Sequence, residues 1–216
     1  MFPNVTHKGC RFPFNSAILR NIDAYGLRSL FNQDAKFQET IYMLYALVYL
    51  PPDQVVSFYN EELLPIINDR LKTEESWKEC ADELDDFGDY YAKTWIEKRG
   101  GRPPLFPIQH LNHYNDIVAD SSVAQTNNII ESYNRTLNGL VGKNPNVWTL
   151  TEVFIQQEAN SRRNYFVHAS GRDNRVNTGR KQRSLDRNGR IKFLAGSYGQ
   201  MSRLDYVKQI ANVFLI

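Results

Sequence analysis

Between Trp77 and Trp95 the residues Trp77, Ala81, Leu84, Phe87, Tyr91 and Trp95 recur every three or four positions. An α-helix brings that spacing onto one face, so the stretch, beginning near Ser76, predicts an amphipathic helix with its apolar stripe turned to a core. Its other side is acidic. The run DELDD at 82–86 strings its carboxylates along the chain rather than converging them, which predicts a solvated surface instead of a metal site.

The same period organises most of the chain. Phe37, Ile41, Leu44, Tyr45 and Val48 predict a helix that Pro51 and Pro52 stop. Asp53 is placed to cap the next helix, which carries Val55, Val56, Tyr59, Leu63 and Ile67, and Pro65 is expected to kink or divide it because proline lacks a backbone donor. Further helices are expected from about Thr149 to His168 and through Leu204, Val207, Ile210 and Phe214. The segment from Val5 to Phe12 predicts one short strand. KRGGRPPLFP, from Lys98 to Pro107, reads as a loop. It cannot cradle phosphate, because the Gly-x-x-x-x-Gly-Lys spacing is absent and Pro103 and Pro104 remove backbone donors. GRDNRVNTGRKQRSLDRNGR, at 171–190, has no apolar periodicity and is expected to be loop-like or disordered.

At 216 residues the chain has room for one sizeable core, so a single domain with appendages is expected. Hydrophobic residues at 42% and charged residues at 23% suit a folded protein and argue against extensive disorder. The longest apolar run, Ile41 to Leu50, is too short to cross a bilayer, and the opening residues lack the apolar core of a signal peptide. An intracellular protein, nuclear or cytoplasmic and without a membrane partner, is therefore expected. Cys10 and Cys80 are too few and too far apart for a disulfide framework or a thiolate metal site.

The formal net charge of +2 conceals a division. From Asp34 to Glu97 there are 15 acidic and 5 basic residues, a balance of −10; from Arg162 to Arg203 there are 11 basic and 2 acidic, a balance of +9. Such asymmetry points either to a polyanion on the basic part or to the two segments docking on each other.

His110 and His113, three apart, can share a helix face and a metal, but no third ligand lies near them and the glutamate of a His-Glu-x-x-His site is absent. No Gly-x-Ser-x-Gly elbow is present, and nothing favours a catalytic role for either cysteine over a buried thiol. Glu131 has two readings. Asn128 is a good helix N-cap, and a glutamate three residues later can reach back to it in capping-box fashion. Ile129, Ile130, Tyr133, Leu137, Leu140 and Val141 would then form a buried stripe, leaving Glu131, Asn134, Arg135 and Asn138 on a polar flank.

The other reading of Glu131 comes from a resemblance. TNNIIESYNRTLNGLVG at 126–142, followed by NPNVW, resembles the region around the last catalytic acid of Mutator-like (MULE) transposases. GCRFPFNSAI, YALVYLPPD, LFPIQHLNHYND and RSLDRNGRIKFL occur in the same order as in that family, so the likeness covers nearly the whole chain. It implies a ribonuclease-H-like catalytic domain in which two aspartates and one late glutamate hold divalent metal, Mg²⁺ or Mn²⁺, for DNA strand cleavage and transfer. Glu131 matches the glutamate, about 14–97 match the family's helical insertion, and about 128–141 match the final-acid helix.

Two departures matter. The family's aspartates lie upstream of the Gly-Cys segment, where this chain has only nine residues before Cys10, none of them acidic, and Pro13 replaces the histidine of the family's Cys-x-x-His pair. The resemblance therefore implies a predominantly α chain: a helical insertion plus the C-terminal helices of a truncated ribonuclease-H-like α/β domain. A partial catalytic domain at 1–150 would precede C-terminal helices with a basic loop at 151–216. It implies a truncated or degenerate transposase, inactive alone, without a metal or cofactor of its own, and retaining nonspecific DNA contact through Arg172, Arg175, Arg180, Lys181, Arg183, Arg187 and Arg190. The alternatives are a helical protein-interaction module, self-association included, and an active enzyme whose missing aspartates come from upstream sequence or another chain.

Overall fold

A computed structural model describes residues 9, 11–98, 100–119, 128–170 and 179–215. These are predominantly helical. The helices are α1 (Arg11–Ala24), α2 (Arg28–Gln33), α3 (Ala35–Ala46), α4 (Val55–Phe58), α5 (Leu64–Thr73), α6 (Glu75–Lys78), α7 (Ala81–Tyr91), α8 (Ile108–Leu111), α9 (Tyr114–Val118), α10 (Asn128–Val141), α11 (Val147–Ala169), α12 (Gly179–Gly196) and α13 (Arg203–Leu215). Among the described residues no β-strand occurs, only the isolated antiparallel bridge between Lys98 and Arg102. No helix among them is long and apolar enough to cross a membrane.

The chain divides into two compact units. One holds the described residues of Met1–Gln125 and Ser184–Ile216, the other those of Thr126–Arg183. Residue 150 lies inside α11.

In the first unit α3 is the central element. Seven of its twelve residues are buried, from Phe37 to Ala46, as expected of a helix surrounded by others. Asp34 caps its N-terminus by accepting from the Phe37 N–H at 2.9 Å, and accepts from the Ser76 hydroxyl with its other oxygen at 2.8 Å. α13 lies along α3 and buries Tyr206, Val207, Ile210 and Ala211. Trp77 meets Phe37 edge-on, with ring centroids 5.4 Å apart.

The C-terminal end of α3 shows how the unit closes. A 3₁₀ turn, Leu47–Tyr49, follows it, and the chain leaves at Pro51 with helix carbonyls that lack internal donors. Four donors from three segments supply them: the Tyr91 hydroxyl donates to the Leu44 carbonyl at 3.0 Å, the His113 N–H to Val48 at 2.8 Å, the Tyr206 hydroxyl to Tyr49 at 2.7 Å and the Asn112 amide to Leu50 at 2.6 Å. All of these side-chain donors are buried, so each bond is made away from water.

Several expectations are corrected. Arg11 and Phe12 begin α1 rather than end a strand, because Phe14, Ile18 and Ile22 recur at helical spacing and are buried; the rest of the proposed strand, apart from Gly9, lies outside the described residues. Gly9 abuts α8, where a Cβ would come within 2.8 Å of Leu111 Cδ2. Asp53 does not cap α4, whose N-cap position is Gln54 without a side-chain cap bond. The helix carrying Pro65 is divided beside it, as expected: a π-helical turn, Tyr59–Leu63, runs into α5 with Pro65 in its first turn, where a missing donor costs little. The Trp77 to Trp95 helix is divided at Cys80, whose backbone (φ −119°, ψ 29°) leaves the helical region, and it ends in a second π-turn, Ala92–Ile96.

The basic segment differs most from expectation. Residues 179–190, read as loop, belong to α12. The apolar anchors that make it helical, Ile191, Leu194 and Ala195, lie just past the basic run and are buried in the first unit's core.

The second unit pairs α10 with α11. Of the stripe expected to be buried on α10, Tyr133 is 46% and Leu140 49% exposed and Leu137 and Val141 are half-buried, while the side chains of Ile129 and Ile130 lie outside the described residues. Amphipathic spacing says which residues share a face, and here too little chain packs on that face to cover it.

Candidate nucleic-acid interface

Glu131 lies in the first turn of α10 and is exposed. An acid there is favourable against the helix's unpaired N–H groups. Asn128 is itself the first residue of α10 rather than the residue preceding it, and its side chain lies outside the described residues. Glu131 is the only acid on α10, and Arg135, one turn on, is also exposed. A pair of hard cations needs several carboxylate oxygens converging on it. The residues around Glu131 do not fit that need, and among the described residues no group of three or more His, Cys, Asp or Glu is arranged to hold a metal.

Of the seven basic residues expected on DNA, Arg172 and Arg175 lie outside the described residues. Arg180 and Lys181 are in the first turn of α12, with side chains outside them. Arg183 and Arg190 are exposed on α12. Arg187 is turned inward. Burial first, and then the charge of Arg11, hold its guanidinium below the usual arginine range, and its Nε is buried without a hydrogen-bond partner among the described residues.

Arg11 is 7% exposed, donates to the Tyr49 hydroxyl and lies 6.0 and 5.8 Å from the ring centres of Tyr49 and Phe214. Burial pushes the Tyr49 phenol up. Arg187 is thus half-buried toward the Tyr49 end of the core, whereas Arg183 and Arg190 are exposed.

The remaining sequence candidates separate. Cys10 lies outside the described residues, and Pro13 is exposed in the first turn of α1. His113 is fully buried just before α9 while His110 is exposed on α8, so the two imidazoles do not share a surface. Cys80 is half-buried, and burial, then Glu83 and Glu79, raise its thiol above the usual range, the opposite of an activated nucleophile. Asp82, Glu83, Asp85 and Asp86 are all exposed.

Two features escaped sequence reading. Both π-turns line a cleft of about 370 Å³ between α5 and α7, where the Asn60 amide donates to Glu97 at 2.8 Å and Lys93 pairs with Asp89 at 2.5 Å. A π-turn leaves no mark in a 3.6-residue pattern, so no period could have shown it. The other is α11, on which Trp148 is 79% and Phe166 68% exposed; their spacing was visible, their lack of cover was not.

No family model matches the chain, and no curated protein or solved structure does either.

Proposed function

We propose that this chain is part of a MULE-type transposase catalytic region, derived from a ribonuclease-H-like domain, that contacts DNA through phosphates and does not cleave it unaided. The reading is carried by the ordered set of resembling segments from GCRFPFNSAI to RSLDRNGRIKFL, with Glu131 in the position of the family's last acid. Two features of the fold support it. The basic run continues into an ordered helix with Arg183 and Arg190 exposed, and Glu131 faces solvent on a helix whose apolar residues Tyr133 and Leu140 are exposed as well.

Arginine and lysine on a helix surface bind phosphate without reading bases, so affinity is governed by counterion release. Contacts from Arg180, Lys181, Arg183 and Arg190 to four phosphates would lower affinity for duplex DNA about a hundredfold between about 50 and 200 mM salt. Fluorescence anisotropy with a labelled duplex measures this; a salt-independent affinity, or none, sinks the DNA reading. Arg190→Ala should flatten the salt slope by about one, whereas Arg187→Ala should leave the slope unchanged and lower stability.

Incubation of supercoiled DNA with the chain and Mg²⁺ or Mn²⁺ should leave it intact. Nicking that disappears in Glu131→Gln would instead restore the enzyme reading, with the further carboxylates contributed by another copy or by additional sequence. The alternative of a protein-interaction module is favoured by one observation, the exposure of Trp148, Phe154, Tyr165 and Phe166 on α11.

A further inference from the structure

α11 has two faces. Leu150, Val153, Gln157 and Asn160, at spacings of three, four and three, are half-buried and form the side that packs within the second unit. On another side Thr151, Ile155, Glu158, Arg162, Tyr165 and Ala169 recur at alternating intervals of four and three, the heptad spacing of a coiled-coil seam, and every one of them is exposed. Phe154 and Phe166, 48% and 68% exposed, flank that seam. Ile155 and Tyr165, 63% and 69% exposed, thus leave apolar surface uncovered on either side of the charged residues Glu158 and Arg162.

We propose that this face is covered by α11 of a second copy of the chain, packed antiparallel about a two-fold axis level with Asn160. The sequence is palindromic in chemistry about that residue. Seam residues equidistant from it meet across an antiparallel pair: Ile155 meets Tyr165, Thr151 meets Ala169, and Glu158 meets Arg162. Apolar groups face apolar, small face small, and acid faces base.

A parallel pair would instead stack Glu158 on Glu158 and Arg162 on Arg162. Within one chain the Arg162 Nη2 is already 2.8 Å from the Glu158 Oε1. The two-fold would join two such pairs into a ring of four alternating charges in the middle of an isologous seam. This inference rests on α11 alone and is independent of the DNA reading: a chain that fails to bind DNA can still dimerise, and the reverse.

Sedimentation equilibrium should give the full chain twice its 25.1 kDa mass. Arg162→Glu places four acids together at the two-fold and should weaken self-association at least about tenfold, with helix content by circular dichroism unchanged. An equimolar mixture of the Arg162→Glu chain and the Glu158→Arg chain places opposite charges across the seam while keeping like charges within each helix, and should restore the dimer, which a loss confined to the single helix would not do. With Cys10 and Cys80 replaced by serine, the double variant Thr151→Cys, Ala169→Cys should form an intermolecular disulfide under mild oxidation, and neither cysteine alone should. A wild-type monomer at every concentration, which would leave the face to a different partner, overturns the proposal. So does a dimer indifferent to Arg162→Glu, or a cross-link through Thr151→Cys alone, which marks a parallel pair.

Discussion

Asp34 is a single carboxylate that serves two elements, capping α3 at the Phe37 N–H and accepting from Ser76 at the start of α6. Burial acts to raise its pKa, yet the hydrogen bonds from Phe37 and Ser76 outweigh it and hold the carboxyl below its ordinary value. A depressed carboxylate contributes stability above its unfolded pKa of about 4, and that contribution is lost as pH falls through the lower folded value. Asp34→Ala should cost about 1 kcal/mol or more. Asp34→Asn can keep a cap but cannot titrate, so the stability gap between it and the wild type should narrow as pH drops from about 5 to about 3, measured as urea midpoints. Trp77 is 1% exposed and faces no water, so Trp77→Ala should cost about 3–5 kcal/mol by the same assay.

At the level of elements, the closure of α3 by donors from elsewhere predicts a particular weakness. Tyr206→Phe keeps the ring and removes the hydroxyl that bonds the Tyr49 carbonyl, leaving a buried acceptor unpaired; about 1–3 kcal/mol should be lost in denaturant unfolding. The helices themselves were legible because Phe37, Ile41 and Leu44, or Leu84, Phe87 and Tyr91, repeat a period that only a helix satisfies. Breaks were less legible. Pro65 marks a division but not its form, a π-turn running into the helix that Pro65 opens, and Cys80, which divides another helix, carries no breaker signal. The basic segment was misread because its helix is fixed by Ile191, Leu194 and Ala195 beyond its end, and a segment judged by its own residues cannot show what anchors it. The candidate site was the least legible: Arg187 looks like its neighbours Arg183 and Arg190 in sequence, and only packing near Arg11 sets it apart.

Across the whole molecule the two units differ in how much they bury. The first collects every residue of the hydrophobic core, while the described side chains of α10 and α11 are exposed or half-buried. Local opening free energies follow burial, so amides of α10 and α11 should exchange with deuterium well before those of α3 and α13, and self-association through α11 should slow that exchange selectively there. The core of the first unit is rich in phenols. Tyr45, Tyr49, Tyr91 and Tyr206 all have raised pKa values, chiefly from burial, and Tyr59 is pushed up to about 12 for the same reason. Each raised phenol contributes stability that is complete below the unfolded value of about 10 and disappears as pH climbs through the folded one. In alkali these five rings should therefore stay dark in the phenolate absorbance band while surface tyrosines light up, then ionise together in one cooperative step when the unit unfolds. The chain thus carries its own optical reporter of folding, with no label attached.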